Sequence, residues 1–125
     1  MIKKGRSFKK VVSCLAVSMC LLTSGLTVGA YEADTTPPSA PSAIYFNNNC
    51  NQRTIDWPDC TDNVKVAGYT VSIYDATNKK YSTQKVYASE CTLGPVTSEY
   101  YVYVSAFDDA GNKSASTYIR IPAQQ

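Results

Sequence analysis

The sequence predicts an all-β sandwich built from seven short strands. Apolar residues beyond position 42 show no helical spacing, and stretches rich in Val, Ile, Thr and Tyr alternate with clusters of Asn, Asp, Gly and Pro. Seven such stretches, near 43–48, 52–57, 67–75, 80–87, 89–93, 99–108 and 114–122, fit into about 85 residues, the size of one small sandwich.

Ahead of the strands, the chain reads as a secretory signal. Lys3, Lys4, Arg6, Lys9 and Lys10 precede the first acidic residue, Glu32. An apolar run from Val11 to Leu22 follows, and then a small-residue stretch from Thr23 to Ala30. Val28-Gly29-Ala30 suits signal peptidase, so residues 1–30 are expected to be removed and the remainder secreted. The rival reading is a membrane anchor over Val11–Tyr31. Ser, Thr and Gly dilute its second half too heavily for a span of about 20 apolar residues, so no membrane association is expected after cleavage. Cys20 lies inside the apolar run behind Met19, which argues against a lipidated first residue.

Cleavage changes the electrostatics. The formal charge of the 125 residues is +2, yet beyond Ala30 seven cations (Arg53, Lys65, Lys79, Lys80, Lys85, Lys113, Arg120) face all ten anions, a net −3. Nucleic acid is not an expected partner, because counterion release needs clustered Lys and Arg. Lys79-Lys80, the one adjacent pair, reads as a solvated turn.

Residues 31–42 read as an extended linker, since Asp34-Thr-Thr-Pro-Pro-Ser-Ala-Pro-Ser42 carries three prolines and no apolar periodicity. Residues 43–125 form the domain. Alternation assigns its faces: Tyr100, Val102, Val104 and Ala106 point one way, and Tyr101, Tyr103, Ser105 and Phe107 the other. The first set suits a core with Ile55, Trp57, Tyr69, Val71, Ile73, Thr117, Ile119 and Ile121.

Several motifs recur in a familiar order: the proline-rich entry, Ile55-Asp-Trp57, Thr61-Asp-Asn-Val-Lys-Val-Ala-Gly-Tyr69, Leu93 with Pro95 and Thr97 before Tyr100, and Val104-Ser-Ala-Phe-Asp-Asp-Ala-Gly-Asn112. Together they resemble a fibronectin type III domain, an immunoglobulin-like sandwich, of the kind found beside catalytic domains in secreted bacterial chitinases and other polysaccharide-degrading enzymes. The similarity covers nearly the whole chain beyond the signal. Arg53 departs from it at a position where an aliphatic is usual, and the Leu93 to Tyr100 spacing is one residue longer than the common one. The resemblance implies that Trp57, Tyr69, Leu93 and Tyr100 are structural, with the Tyr100 hydroxyl returning to backbone near the loop before its strand.

Three cysteines remain beyond the signal: Cys50, Cys60 and Cys91. In an oxidising space one bridge and one odd thiol are expected. Cys50 and Cys60 flank one strand, too far apart to pair. The resembled topology places Cys50 and Cys91 at one pole, which implies a Cys50–Cys91 disulfide and leaves Cys60 open to intermolecular pairing.

The tyrosines are the main compositional excess, ten in all, every one beyond the signal. In the resembled fold Tyr74, Tyr101, Tyr103 and Tyr118 share the solvent face of one sheet. Such rings stack on sugars or anchor a protein partner, and they also suit a strand for its own sake. At one end of the sandwich Asp59, Asp62 and Asn63 should approach Asp108, Asp109 and Asn112, a set of oxygens of the type calcium takes. Asp and Asn in tight turns ordinarily bond their own backbone, so no metal and no cofactor are expected.

With no histidine in the chain, Ser-His-Asp and Cys-His relays and His-containing zinc sites are excluded. A domain this small leaves little room for a glycosidase cleft between two of these carboxylates, and no catalytic residues are expected. The expected function is a secreted, non-catalytic module that binds an extracellular protein or polysaccharide. The alternative is a structural spacer with no ligand of its own. That the domain directly follows the signal and runs to Gln125 favours binding.

Overall fold

The computed structural model describes residues 32–49 and 52–124, and their regular secondary structure is entirely β. The expected signal over residues 1–30, the rival anchor over Val11–Tyr31, and Cys50 lie outside the described residues. Seven strands follow in order: β1 (Tyr45–Asn49), β2 (Gln52–Asp56), β3 (Val66–Asp75), β4 (Lys80–Val86), β5 (Glu90–Thr92), β6 (Tyr100–Asp108) and β7 (Thr117–Ile121). They form two antiparallel sheets, β1-β2-β5 and β4-β3-β6-β7. Each strand overlaps a stretch marked by its Val, Ile, Thr and Tyr content.

The core lies where the two inner faces meet. Ile55 from the first sheet and Val71, Val102, Val104 and Ala106 from the second are completely buried. Trp57 and Tyr69 close one side of the core edge to face, with ring centroids 5.2 Å apart. Leu93, Tyr100, Ile73 and Ile119 pack around this centre half-buried, and Ile121 is fully enclosed. Burying a Val, Ile or Phe-sized side chain contributes roughly 1.5–3 kcal/mol, so these inner positions hold the two sheets together.

Two local features shape the functional surfaces. Ser114 is not yet in β7, because its Oγ accepts from Ala106 N at 2.8 Å while its own N–H donates to Ala106 O at 2.9 Å. The last strand therefore begins at Thr117, three residues later than the sequence pattern suggests. The β3–β6 register shifts between Val66 and Gly68, and a Cβ on Gly68 would lie 2.9 Å from both the Phe107 and the Tyr87 rings. Only glycine lets those two rings close over the strand.

The proline-rich segment is irregular but not free. From Asp34 onward it belongs to the same compact unit as the strands. Pro38 and Pro41 are buried, Ser39 N donates to Thr61 O at 2.8 Å, and Thr61 N donates to Ser39 Oγ at 2.9 Å. The segment expected to be a linker thus runs along the domain and delivers Asp34 to one end of it.

Candidate functional site

Antiparallel register arranges the outer face of the four-stranded sheet in rows. Tyr81 on β4, Tyr74 on β3, Tyr101 on β6 and Arg120 on β7 stand side by side, because Tyr74 pairs with both Tyr81 and Tyr101, and Tyr101 pairs with Arg120. The adjacent row runs Thr83, Ser72, Tyr103, Tyr118. Ring centroids are 5.3 Å apart for Tyr74–Tyr81, 6.4 Å for Tyr74–Tyr101 and 5.5 Å for Tyr103–Tyr118, tilted by 39°, 39° and 31°. These rings are tilted neighbours along one sheet face. Tyr81 and Tyr118 are 66% and 60% exposed, while Tyr74, Tyr101 and Tyr103 are half-buried by their neighbours.

All four tyrosines expected on this face are therefore brought together. Tyr81 and Tyr87 are additions. Tyr87 packs edge to face on Phe107 with centroids 6.3 Å apart, and Lys85 Nζ lies 4.7 Å above the Phe107 ring. Their signal was present in the sequence, since Tyr81, Thr83, Lys85 and Tyr87 alternate with period two. Which parity faces out is fixed only by the turn that pairs Asp75 with Lys80. At the rim of the face, Arg120 pairs with Glu99, whose carboxylate bonds the guanidinium and raises its pKa.

A second cluster gathers at one end of the sheet. Asp108 closes the β6–β7 turn: its Oδ1 accepts from Asn112 N at 2.8 Å and its Oδ2 from Asn112 Nδ2 at 2.7 Å. Asp62 closes its own turn in the β2–β3 loop, with Oδ2 accepting from Val64 N at 3.0 Å and Lys65 N at 2.9 Å. Asp34 joins them from the proline-rich segment, its backbone oxygen accepting from Asn112 Nδ2 at 3.0 Å and its Oδ1 from Asn63 Nδ2 at 3.1 Å. One carboxylate oxygen from each of Asp34, Asp62 and Asp108 falls within 4.8 Å of the others. Of the six oxygen donors expected at this pole, Asp59 is diverted to a hydrogen bond from Ser89 Oγ, and Asp109 is exposed in the turn. Asp34 was not foreseen, because its segment read as linker.

One structural expectation needs correction. The Tyr100 hydroxyl makes no hydrogen bond among the described residues. Tyr69 takes the equivalent part across the sandwich, its hydroxyl accepting from Cys60 N at 3.1 Å and meeting Ser89 Oγ at 3.3 Å. Tyr100 instead packs half-buried beside Leu93, around a cavity of about 280 Å³.

The expected Cys50–Cys91 bridge involves one residue outside the description. Cys91, the described half, is a buried free thiol whose Sγ accepts from Gln84 Nε2 at 3.2 Å. In the sheet Cys91 pairs with Ile55 of β2. Cys60 is a half-buried free thiol, and burial raises the pKa of both sulfurs.

No protein-family model and no curated protein matches the chain. Solved structures do. Chitinase ChiA74 from Bacillus thuringiensis superposes with TM-score 0.63 at 23% identity, covering 89% of this chain and 21% of that one. A myokine structure gives TM-score 0.58 at 20% identity over 70% of this chain and 99% of its own. The spore cortex lytic enzyme SleM of Clostridium perfringens gives 0.52 at 21% identity, over 69% of this chain and 28% of that one. The chain thus spans about a fifth of the chitinase and just over a quarter of SleM. Together with the FN1–FN3 domains of chicken CNTN1, at TM-score 0.57, these likenesses establish the fold as that of a fibronectin type III domain.

Proposed function

We propose that this chain is a secreted, non-catalytic module that binds an extracellular polysaccharide through the tyrosine face of its four-stranded sheet. The observation that carries the reading is the pair of rows containing Tyr81–Tyr74–Tyr101 and Tyr103–Tyr118 on one open sheet surface. Pyranose rings offer flat C–H faces edged by hydroxyls. Tilted tyrosines offer matching flat faces with hydroxyl tips, and Ser72 and Thr83 add further hydroxyls between them. A protein anchor would favour a recessed pocket around a buried aromatic, whereas Tyr81 and Tyr118 stand exposed on an open sheet face. Two of the fold's neighbours, a chitinase and a spore cortex lytic enzyme, carry names that refer to glycan-rich materials, which supports the same ligand class. The non-catalytic part of the reading rests on the absence of histidine and on the smallness of the scaffold.

The spacer reading draws on one observation of its own: each tyrosine in these rows has another as cross-strand partner, an arrangement that stabilises a sheet without any ligand. Co-sedimentation of the full chain with insoluble chitin, cellulose and peptidoglycan separates the two. Binding to at least one of them is expected, with a loss of roughly tenfold or more in the doubly substituted Tyr101→Ala, Tyr103→Ala chain, folded by circular dichroism. Full retention by that variant removes the face as the site. No binding by the unsubstituted chain leaves the spacer.

A further inference from the structure

The carboxylate cluster at the end of the sandwich has a chemistry that the tyrosine face does not use. Three aspartates from three separate segments, Asp34 before β1, Asp62 between β2 and β3, and Asp108 at the end of β6, each bring an oxygen within 4.8 Å of the other two. Among the described residues the only ion pair is Arg120–Glu99, so no Lys or Arg neutralises the three. Asp108 is almost wholly buried, at 3% exposure.

Hydrogen bonding leaves part of the cluster unsatisfied. Asp62 Oδ2 is held by the backbone of its own turn, but Asp62 Oδ1 is fully buried and has no hydrogen-bond partner. A buried carboxylate oxygen without a donor is costly, and the cost rises when further carboxylates stand beside it. Apart from backbone amides, Thr36 N on Asp34 Oδ1 among them, the donors that reach the cluster are the side-chain amides of Asn63 and Asn112. An amide can turn its oxygen inward in place of its NH₂ group, so the same residues could add neutral oxygen ligands.

We propose that Asp34, Asp62 and Asp108 bind a calcium ion that ties the proline-rich segment to the β2–β3 and β6–β7 loops. The donors are all hard oxygens, carboxylate and backbone carbonyl, with no imidazole or thiolate among them, which suits calcium and not a transition metal. Asp34 and Asp62 come from irregular segments able to adjust around Asp108 at the end of β6, which suits the variable geometry of calcium over the strict octahedron of magnesium. The ion removes the mutual repulsion of the acids and satisfies Asp62 Oδ1. Its structural effect is to fasten Asp34 and the segment that follows, adding to the hydrogen bonds that Asn63, Asn112 and Thr61 already make to it.

The test uses the full chain, stripped with chelator and titrated calorimetrically with calcium chloride and, separately, magnesium chloride. One calcium per chain is expected, with a dissociation constant of roughly 10⁻⁴–10⁻³ M, the range of extracellular modules, and magnesium at least about tenfold weaker. Melting temperature should rise by roughly 5–15 °C in about 10 mM calcium. Asp62→Asn keeps a carbonyl oxygen for the turn and should fold, yet weaken calcium binding by about tenfold or more. Asp34→Asn, outside any strand, should do the same. An unmoved melting temperature with no heat of binding, equal affinity for magnesium, or wild-type affinity in both variants would each overturn the proposal.

Discussion

Asp75 and Asp108 stand at opposite ends of the β3–β6 ladder, one beside Tyr100 and the other beside Val66, and they use the same turn chemistry to different ends. Asp75 is surrounded by donors. The backbone and side-chain amides of Asn78 lower its pKa most, and Ser98 Oγ at 2.8 Å and Thr77 N at 3.0 Å add to them, bringing it to about 2. Asp108 is held below the usual carboxylate range against the opposing effect of its burial, mainly by the side-chain and backbone donors of Asn112. What differs is the surroundings. Asp75 meets hydroxyl and amide donors, whereas Asp108 meets two more acids. An aspartate that closes its own turn is therefore not thereby a purely structural residue, because the groups packed against its turn decide what else it can hold.

The largest expected effect comes from between the two ends and provides the baseline for both. Ile55 is completely buried against the inner face of the four-stranded sheet, and Ile55→Ala should cost about 2–5 kcal/mol by urea unfolding. Neither aspartate contributes to that loss. It should be the same with and without calcium and should not grow as the pH is lowered toward 4. A calcium-dependent difference would mean that the two ends communicate through the core, and the comparison between them would need redrawing.

The strands and the core were legible because burial on one face writes itself into alternation: Val102, Val104 and Ala106 are completely buried while Tyr101 and Tyr103 stand outside. Ile55 was legible for the same reason, buried between Thr54 and Asp56 along β2. Val96 was not, although it is among the most deeply buried residues, because it lies in the irregular stretch between β5 and β6 where no period exists to mark it. Asp34 was hidden by the prolines around it. Proline signals an extended backbone, and sequence alone does not tell an extended segment that lies along a domain from one that leads away. Tyr81 and Tyr87 were hidden by parity. Their strand alternates clearly, but the side that faces out depends on a single turn whose register hangs on Asp75 and the left-handed Lys79, at φ 55°.

A smaller effect should separate the two aspartates by pH. Asp75 has a folded pKa of about 2 against roughly 3.9 in an unfolded chain, so its contribution is complete above the unfolded value. As the pH falls from about 4 toward 2 the unfolded chain takes up the proton first, and the stabilisation disappears through that window. Thermal melts across it should show Asp75→Asn with a shallower decline than the unsubstituted chain, because asparagine keeps an acceptor for Thr77 N and Asn78 N but carries no titrating charge. Calcium should leave this difference unchanged, since it acts at the other end. Identical slopes in the two chains would show that the Asp75 turn does not contribute to acid stability.

The smallest expected effect isolates one of the donors around Asp75. Ser98 is buried at 6% exposure in the stretch before β6, and its hydroxyl donates to Asp75 Oδ1 across the sandwich end at 2.8 Å. Ser98→Ala removes that bond and leaves intact the donors from Thr77 and Asn78, so the turn should persist with a melting temperature lower by roughly 2–6 °C. The same substitution takes away one of the groups that favour the charged carboxylate. The Asp75 carboxyl, followed by NMR during acid titration, should therefore titrate at a higher pH than in the unsubstituted chain while staying below the ordinary aspartate value. The two readouts have to move together, because a single hydrogen bond stabilises both the fold and the anion. A lower melting temperature with no upward movement of the Asp75 titration would mean that Ser98 fills space without acting as a donor, and that Asp75 owes its low pKa to its own turn alone.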